Sequence, residues 1–304
     1  MTEGNQIYKS GFVSIVGKPN SGKSTLTNRI LGQPVASVSA KPQTTRKRQL
    51  GILTTDLAQI IFIDSPGMHE PKDKLSQFIN TEANYALHDA DLIIFLVDGS
   101  QKPDAMDEKL AEALREVIKD IPVLLVLNKN DLAVSKTLSA NKRLYEALVA
   151  STQTLSISAQ TGNGVQHLLD VVVENLPEGP QYYPPDQVTE VFERDIAAEM
   201  IRAVCLTLLE EEVPYSIAVR TDEFSQREND LLYIKATIFL EREAQKAIVI
   251  GKGGEMIKRI GSAARQDIEA MSGQKVFLDL SVKVHKDWKN DQTFLKELGL
   301  ANKS

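Results

Sequence analysis

Residues 11–25 read GFVSIVGKPNSGKST, a stretch whose character changes at Gly17. The six residues before that glycine are mostly apolar and predict a buried strand. Gly17–Ser24 then follows the pattern G-x-x-x-x-G-K-S, and the residues after it are typical of a helix. A loop of this kind turns successive backbone N–H groups inward, where they can hold phosphate oxygens at the start of the helix. The stretch therefore predicts a phosphate-binding loop.

The side chains of this loop match the chemistry of a nucleoside triphosphate bound with Mg²⁺. Lys23 would place its charge on the β- and γ-phosphates, and the Ser24 hydroxyl would be a magnesium ligand. The other residues assigned to the nucleotide site here are Gly17, Lys18, Pro19, Asn20, Ser21, Gly22 and Thr25. A chance match in a glycine-bearing turn is the alternative, and the motifs downstream argue against it.

The composition sets limits on what the chain can be. Its 304 residues are enough for two domains, and 42% hydrophobic with 25% charged residues is ordinary for a soluble globular protein. The longest apolar runs have the length of a strand, so we expect no membrane-spanning segment. The one cysteine, Cys205, rules out an internal disulfide, and its helical pattern of apolar neighbours predicts a buried thiol. The net charge of −6 means that binding to nucleic acid requires a local basic patch.

Strand and helix patterns alternate as far as residue 176. Two apolar runs at 50–54 and 59–64 are separated by a short turn, which predicts an antiparallel hairpin. Further strands are predicted at 91–98, 122–128 and 155–158, with helices at 74–88, 103–119, 138–149 and 164–175. Strands that are apolar along their whole length are buried on both faces. The pattern predicts an α/β fold with a doubly wound, mostly parallel sheet and one antiparallel edge strand.

Four prolines between residues 177 and 185 predict a stiff linker. We therefore expect a first domain over 1–178, a linker over 179–190 and a second domain over 191–304. The second domain is predicted to be α+β, with strands at 214–221, 231–241 and 275–284 and helices at 193–211, 244–248 and 255–271.

The segment Asp64-Ser65-Pro66-Gly67 follows a predicted strand of the first domain. A carboxylate in that position can hold Mg²⁺ through water, and we assign this role to Asp64. The N–H of Gly67 would contact the γ-phosphate and so respond to its loss. We place all four residues in the nucleotide site.

Thr45 and Met68 complete the predicted triphosphate site. Thr44 and Thr45 lie in the polar loop after the first helix, and we expect one of them, Thr45, to supply a second hydroxyl to magnesium. Met68 stands where signalling GTPases have a glutamine that orients the attacking water, so we expect slow intrinsic turnover or a different catalytic device. The residues predicted to contribute to catalysis are Asn20, Lys23, Thr45 and Gly67.

The sequence NKND at 128–131 follows the strand PVLLVLN and predicts the choice of base. The Asp131 carboxylate would accept hydrogen bonds from the guanine ring N–H and amine, whereas adenine would leave it without a partner at a considerable cost. The residues assigned to the base site are Asn128, Lys129, Asn130 and Asp131, with Ser158 and Ala159 after the last strand of this domain.

A second glycine loop lies in the second domain, between a short and a long predicted helix. It reads GKGG at 251–254 and matches the G-x-x-G loop with which KH domains clamp single-stranded nucleic acid. Between 244 and 266 there are five basic residues and one acidic residue, which gives the local positive charge that RNA binding requires. A solvated basic helix is the alternative. The residues assigned to RNA are Gly251, Lys252, Gly253, Gly254, Lys258, Arg259, Lys283 and Trp288. For Trp288, stacking on a base and packing against the domain both stay open.

The motifs GKPNSGKS, KPQTTR, DSPGM, NKND, SAQTGNGV and VIGKGGEMIKRIG stand in this order in one chain. Together they resemble the Era family of bacterial GTPases, over essentially the whole length. The resemblance implies a Ras-like P-loop GTPase domain followed by a type II KH domain. One departure is Ser21, where the family usually has valine; because the loop uses the backbone of this residue, we expect little change in function.

The resemblance also implies a function. It implies a GTP-hydrolysing switch that binds GTP and GDP with Mg²⁺, contacts the 3′ end of 16S rRNA and assists assembly and maturation of the small (30S) ribosomal subunit. It further implies a K⁺ ion beside the phosphates, held by Asn20, and a cytoplasmic monomer with peripheral contact to the inner membrane. The alternative is an RNA-binding assembly factor in which the bound guanine nucleotide is mainly structural.

Overall fold

A computed structural model describes residues 7–35, 45–64, 66, 72–117 and 121–301. The chain divides into two compact units. The first consists of Met1–Ala36, Lys47–Met68 and Asn80–Glu190, and the second of Ser37–Arg46, His69–Ile79 and Val191–Ser304. Two short stretches from the first half of the chain thus belong to the second unit, of which residues 45–46 and 72–79 are described. No helix in the described part of the chain is long and apolar enough to span a bilayer.

The first unit is built on a six-stranded sheet with the order β2-β3-β1-β4-β5-β6. Its strands are β1 (Lys9–Val16), β2 (Gln49–Thr54), β3 (Ala58–Asp64), β4 (Leu92–Asp98), β5 (Val123–Asn128) and β6 (Gln153–Ser156). All neighbouring pairs are parallel except β2 with β3, which form the predicted edge hairpin. Every residue of β3, β4 and β5 is buried, as expected for strands covered on both faces.

Helices cover both faces of this sheet. They are α1 (Lys23–Leu31), α2 (Lys74–His88), α3 (Ala105–Val117), α4 (Ser135–Glu146) and α5 (Val165–Asn175). Side chains of α1 and α5 pack in one apolar cluster with β1 and β3, and those of α3 and α4 pack in another with the opposite side of β4 and β5. The fold class is therefore the predicted doubly wound α/β sheet.

Helix α4 and strand β6 have boundaries that differ from the predicted ones. Helix α4 begins at Ser135 rather than 138, because the Leu138 N–H already bonds to the Val134 carbonyl at 3.1 Å. Strand β6 ends at Ser156 rather than 158, because its pairing with β5 stops there and the chain turns into a loop.

The second unit is a three-stranded sheet backed by helices. Its elements are α6 (Glu193–Leu208), β7 (Ala218–Gln226), β8 (Leu231–Leu240), α7 (Glu243–Ile250), α8 (Glu255–Ser272), β9 (Lys275–Val284) and α9 (Gln292–Glu297). The sheet order is β7-β8-β9, with β7 antiparallel and β9 parallel to β8. The predicted strand at 214–221 begins later, at Ala218, because Val213–Ser216 forms a 3₁₀ turn around Pro214.

The core of the second unit lies between the sheet and helices α6 and α8. Cys205 is fully buried in it, and burial raises the pKa of its thiol to about 12. The prediction of a buried thiol is confirmed.

Candidate functional sites

The loop between β1 and α1 has the tight geometry that a phosphate-binding loop needs. Gly22 has φ of 101° and Asn20 has φ of 65°, both in the left-handed region. A Cβ on Gly17 would lie 2.2 Å from the Leu96 carbonyl oxygen, and a Cβ on Gly22 would lie 2.2 Å from Asn128 Nδ2. The loop is thus packed against the rest of the unit, and only glycine fits at these two positions.

Lys23 lies inside this loop with 9% of its surface exposed. Its Nζ donates to the carbonyl oxygens of Gly17 at 2.8 Å and Lys18 at 3.3 Å. Burial lowers the pKa of Lys23, and the nearby charge of Asp64 opposes this effect. The ammonium group is therefore held at the centre of the loop, where a phosphate would meet it.

The structure brings together two of the three predicted magnesium ligands. The Ser24 hydroxyl donates to Asp64 Oδ2 at 2.9 Å, and Asp64 is fully buried at the end of β3. A hydroxyl and a carboxylate are hard oxygen ligands, so this pair fits Mg²⁺. Thr45 belongs to the second unit, next to Arg46. Pro66 is buried, while Ser65, Gly67 and Met68 lie outside the described residues.

Asn128 connects the base motif to two other loops. Its Nδ2 donates to the Ser21 carbonyl oxygen at 2.8 Å, and its Oδ1 accepts from the Ala159 N–H at 2.9 Å. The Asn130 N–H bonds to the Ile157 carbonyl at 3.0 Å, so the loops after β5 and β6 are held together. Asp131 is exposed beside them. A base could therefore reach its carboxylate in this structure.

Lys129 and Ser158 hold the loops of the predicted base site in place through polar contacts with neighbouring residues. Lys129 has φ of 63°, and its Nζ pairs with Asp98 Oδ2 at 2.8 Å. Burial would raise the pKa of Asp98, but hydrogen bonds from Lys129 and Ser100 hold that pKa below its usual value. Ser158 is fully buried, and its hydroxyl accepts from the Thr161 N–H at 3.1 Å.

Sequence reasoning missed the role of the Lys18 side chain. Its Nζ pairs with Asp104 Oδ2 at 2.9 Å and with Asp107 Oδ2 at 2.8 Å, both at the start of α3. Asp107 is fully buried, and the Tyr145 hydroxyl lies 3.3 Å from the same oxygen. Lys18 thereby anchors the phosphate-binding loop to α3. The sequence offers one signal for this contact, the two acids Asp104 and Asp107 at the start of a predicted helix. Asp107 is 89 residues from Lys18 along the chain.

The second glycine loop connects α7 to α8 and has a different character. Gly251, Gly253 and Gly254 have φ of 74°, 62° and 81°. Lys252 and Gly253 are exposed at the tip, and a Cβ on Gly253 would meet nothing within 4 Å. The loop ends at the N-terminus of an 18-residue helix, whose dipole favours phosphate.

The other predicted RNA contacts surround this loop in part. Lys258 and Arg259 are exposed on the first turns of α8, and Lys283 is exposed on β9. Ile248, on α7, is 50% exposed and offers an apolar surface before the loop. These positions are compatible with a strand of RNA that passes the loop.

The stacking role assigned to Trp288 is wrong in this structure, and the packing alternative holds. Trp288 has no exposed surface, and its Nε1 donates to the Ser216 carbonyl oxygen at 2.8 Å. Its ring also meets the edge of Phe294, with centroids 6.4 Å apart. A base cannot stack on a ring that is covered on every side.

Comparisons with known proteins match both units. Residues 12–129 match the family model for 50S ribosome-binding GTPases, and residues 212–289 match the model for the KH domain. GTPase Era of Geobacter metallireducens is 46% identical over 293 residues, which are 96% of this chain and 98% of that protein.

Two solved structures are similar along nearly the whole chain. One is a variant of Aquifex aeolicus Era bound to GDP·AlF₄⁻, which is 38% identical with a TM-score of 0.90 and covers 97% of this chain and 100% of that one. The other is Era with MgGDPNP and nucleotides 1506–1542 of 16S rRNA, 37% identical with the same TM-score and coverage. The chain therefore belongs to the Era family of GTPases, with a Ras-like GTPase domain followed by a KH domain.

Proposed function

We propose that this GTPase is a switch that binds the 3′ end of 16S rRNA and assists assembly and maturation of the 30S subunit. The observation that carries the proposal is the Era structure that holds both MgGDPNP and a 16S rRNA fragment, because this chain aligns with it over 97% of its length. That alignment spans both of the units in which the two glycine loops lie.

The nucleotide site supports GTP hydrolysis through charge and position. Lys23 binds the β- and γ-phosphates, while Ser24 and Asp64 hold Mg²⁺, the carboxylate through water. Bound Mg²⁺ neutralises charge that develops on the phosphates. Thr45 and the Gly67 N–H respond to the γ-phosphate, and Asp131 selects guanine.

Turnover is slow without a partner, because Met68 cannot orient a water molecule as glutamine does. Asn20 lies in the phosphate-binding loop with a left-handed backbone, and we assign it to a K⁺ ion that supplies part of the missing positive charge. A monomeric state, a cytoplasmic location and peripheral contact with the inner membrane stay predictions of the family resemblance.

The RNA site is the loop at 251–254 with the basic residues around it. The exposed Lys252 meets a phosphate, and the absence of side chains on its glycine neighbours lets the RNA backbone approach closely. Lys258, Arg259 and Lys283 add positive charge along the path of the strand.

The proposal is tested by two assays on the full chain. Excess GTP should be hydrolysed over many turnovers, which separates a switch from an assembly factor with a structural nucleotide. An RNA with the sequence of 16S nucleotides 1506–1542 should bind more tightly than a scrambled RNA of the same composition. Single-turnover behaviour would favour the structural alternative, and equal binding of the two RNAs would contradict recognition of the 16S 3′ end.

A further inference from the structure

Arg46 is buried in the second unit, although it lies in the polar loop after α1. It is 2% exposed, and its guanidinium lies over the ring of Trp288, 5.5 Å from the centroid. Its Nη1 donates to the Ile217 carbonyl oxygen at 2.8 Å. Among the described residues, Nε and Nη2 have no hydrogen-bond partner. We call this position the Arg46 seat.

The Arg46 seat is a poor environment for a charged group. A buried cation normally has a partner for each of its donors, because each unsatisfied donor loses its hydration. The contact with Trp288 offsets only part of that loss. Moving Arg46 out of the seat would therefore restore the hydration of Nε and Nη2, which offsets part of the cost of breaking its contacts with Ile217 and Trp288.

The Arg46 seat is formed by Trp288 of the C-terminal tail and by the Ile217 carbonyl before β7, and Trp288 shares its apolar cluster with α2. Trp288 packs with Phe239, Phe294 and Leu295, and the same cluster contains Leu75 and Phe78 of α2. Arg46 and Leu75 both come from the first half of the chain, and both belong to the second unit.

The Arg46 seat is linked to Thr45 through the backbone and to the start of α7 through a salt bridge. Thr45, the proposed magnesium ligand, precedes Arg46, and adjacent Cα atoms are about 3.8 Å apart, so neither residue moves far alone. On the other side, Lys289 follows Trp288, and its Nζ pairs with Glu241 Oε2 at 3.0 Å. Glu241 leads directly into α7, which ends at the RNA loop.

We propose that Arg46, through its contact with Trp288, is the residue that couples nucleotide state to RNA affinity. The inference rests on the proposed function, since it requires both ligands to bind. A nucleotide that moves Thr45 changes the occupancy of the Arg46 seat, and the tail transmits that change toward α7. By linkage, RNA then changes the affinity for the nucleotide by the same factor.

The test is a thermodynamic cycle on the full chain. The dissociation constant of the 1506–1542 RNA is measured with GDP and with a non-hydrolysable GTP analogue, for wild type and for Arg46→Met. Methionine keeps an unbranched apolar chain in the space and removes the charge. We expect the two constants to differ at least about fivefold in the wild type, the lower end of typical coupling. In Arg46→Met we expect this ratio to fall to about one.

Two further variants keep the test specific. Arg48→Met is the matched control, because Arg48 lies two residues away and pairs with Asp89 at 2.9 Å on the surface; it should keep the wild-type ratio. Trp288→Phe removes the Nε1 bond to Ser216 and shrinks the ring under Arg46, and it should reduce the ratio even if Arg46→Met does not fold. General destabilisation would weaken RNA binding in both nucleotide states and leave the ratio unchanged.

The outcomes separate this inference from the proposed function. If Arg46→Met and Trp288→Phe keep the wild-type ratio, or if the wild-type ratio is one, the coupling role of Arg46 is wrong and the proposed function stands. If the wild type binds this RNA in neither nucleotide state, the proposed function fails and the inference fails with it.

Discussion

The two glycine loops of this chain look alike in sequence and differ in structure. Both precede a helix and both present a lysine, yet Lys23 is 9% exposed and Lys252 lies in the open. A Cβ on Gly17 would collide with a backbone oxygen at 2.2 Å, whereas one on Gly253 would meet nothing within 4 Å. We call residues 17–24 the enclosed loop and residues 251–254 the open loop. The shape of the enclosed loop suits the end of a small ligand, and that of the open loop suits a polymer that passes it. In the enclosed loop, glycine is needed because a side chain would collide with the surrounding residues. In the open loop, glycine keeps the backbone accessible to a ligand.

The largest expected effect concerns the base site that is bonded to the enclosed loop. Asp131→Asn should weaken GTP binding roughly 10²–10⁴-fold, because it removes two charge-assisted hydrogen bonds worth about 1.5–3 kcal/mol each. It should also gain binding of xanthosine triphosphate, whose carbonyl matches the new amide. Nucleotide titrations check both effects. Unchanged GTP affinity would show that the base lies elsewhere.

Lys23→Ala and Lys252→Ala form a matched pair for the two loops. Lys23→Ala should lower kcat/KM for GTP roughly 10²–10³-fold, the usual effect of losing one group that stabilises developing charge. Lys252→Ala should leave hydrolysis unchanged in the absence of RNA. Steady-state rates with circular dichroism as the folding control decide this. A folded Lys23→Ala protein with normal turnover would refute the role of Lys23.

Gly17→Ala and Gly253→Ala compare two destabilising effects on the fold, a steric collision at Gly17 and an unfavourable left-handed backbone at Gly253. Gly17→Ala should lower the free energy of unfolding by at least about 3 kcal/mol, because a backbone oxygen cannot move aside as a side chain can. Gly253→Ala should cost only about 1 kcal/mol, from its left-handed backbone alone. Thermal and denaturant unfolding measure the difference. Equal costs would mean that the two loops are equally packed.

We expect K⁺ to change GTP turnover through the enclosed loop and not through the open loop. Turnover in K⁺ should exceed turnover in Na⁺ at equal ionic strength by at least about tenfold, since a second cation in place of an arginine finger recovers part of its roughly 10³–10⁵-fold effect. Asn20→Ala should remove the preference. Equal rates in the two salts would shift the missing charge to a partner protein.

The smallest expected effect concerns charge on the open loop. Lys252→Ala should reduce the salt dependence of RNA binding, with a change in slope of about 0.7 for one lost phosphate contact on a single strand. Lys258→Ala should act in the same direction, and Lys235→Ala, exposed on β8, serves as the control. A slope unchanged in Lys252→Ala would place the phosphate path elsewhere.

Local patterns predicted most of the fold and the closeness of Ser24 and Asp64 at the candidate nucleotide site. The edge hairpin is encoded by two apolar runs with a short turn, and the pairing of Ser24 with Asp64 follows from strands that end at the same edge of the sheet. The predicted start of helix α4 was wrong by three residues, because that start depends on one backbone bond at Val134.

Features that depend on distant partners could not be predicted. Lys18 finds Asp107 from 89 residues away, and Arg46 bonds to Ile217 from 171 residues away. Trp288 has a side chain suited to either stacking or packing, and only its neighbours Ser216 and Phe294 decide between them. A sequence motif describes a segment, whereas burial is a property of everything packed around it.

The central claim is that the enclosed loop serves the nucleotide and the open loop serves RNA. The most direct test replaces Lys252 and Gly253 together by Asp and measures binding of the 1506–1542 RNA beside GTP hydrolysis without RNA. RNA affinity should fall more than about tenfold, because negative charge at the tip repels phosphate. Basal hydrolysis should stay within about twofold of wild type, because no RNA is present in that assay and both substitutions lie outside the nucleotide site. RNA binding as tight as that of the wild type would contradict the claim.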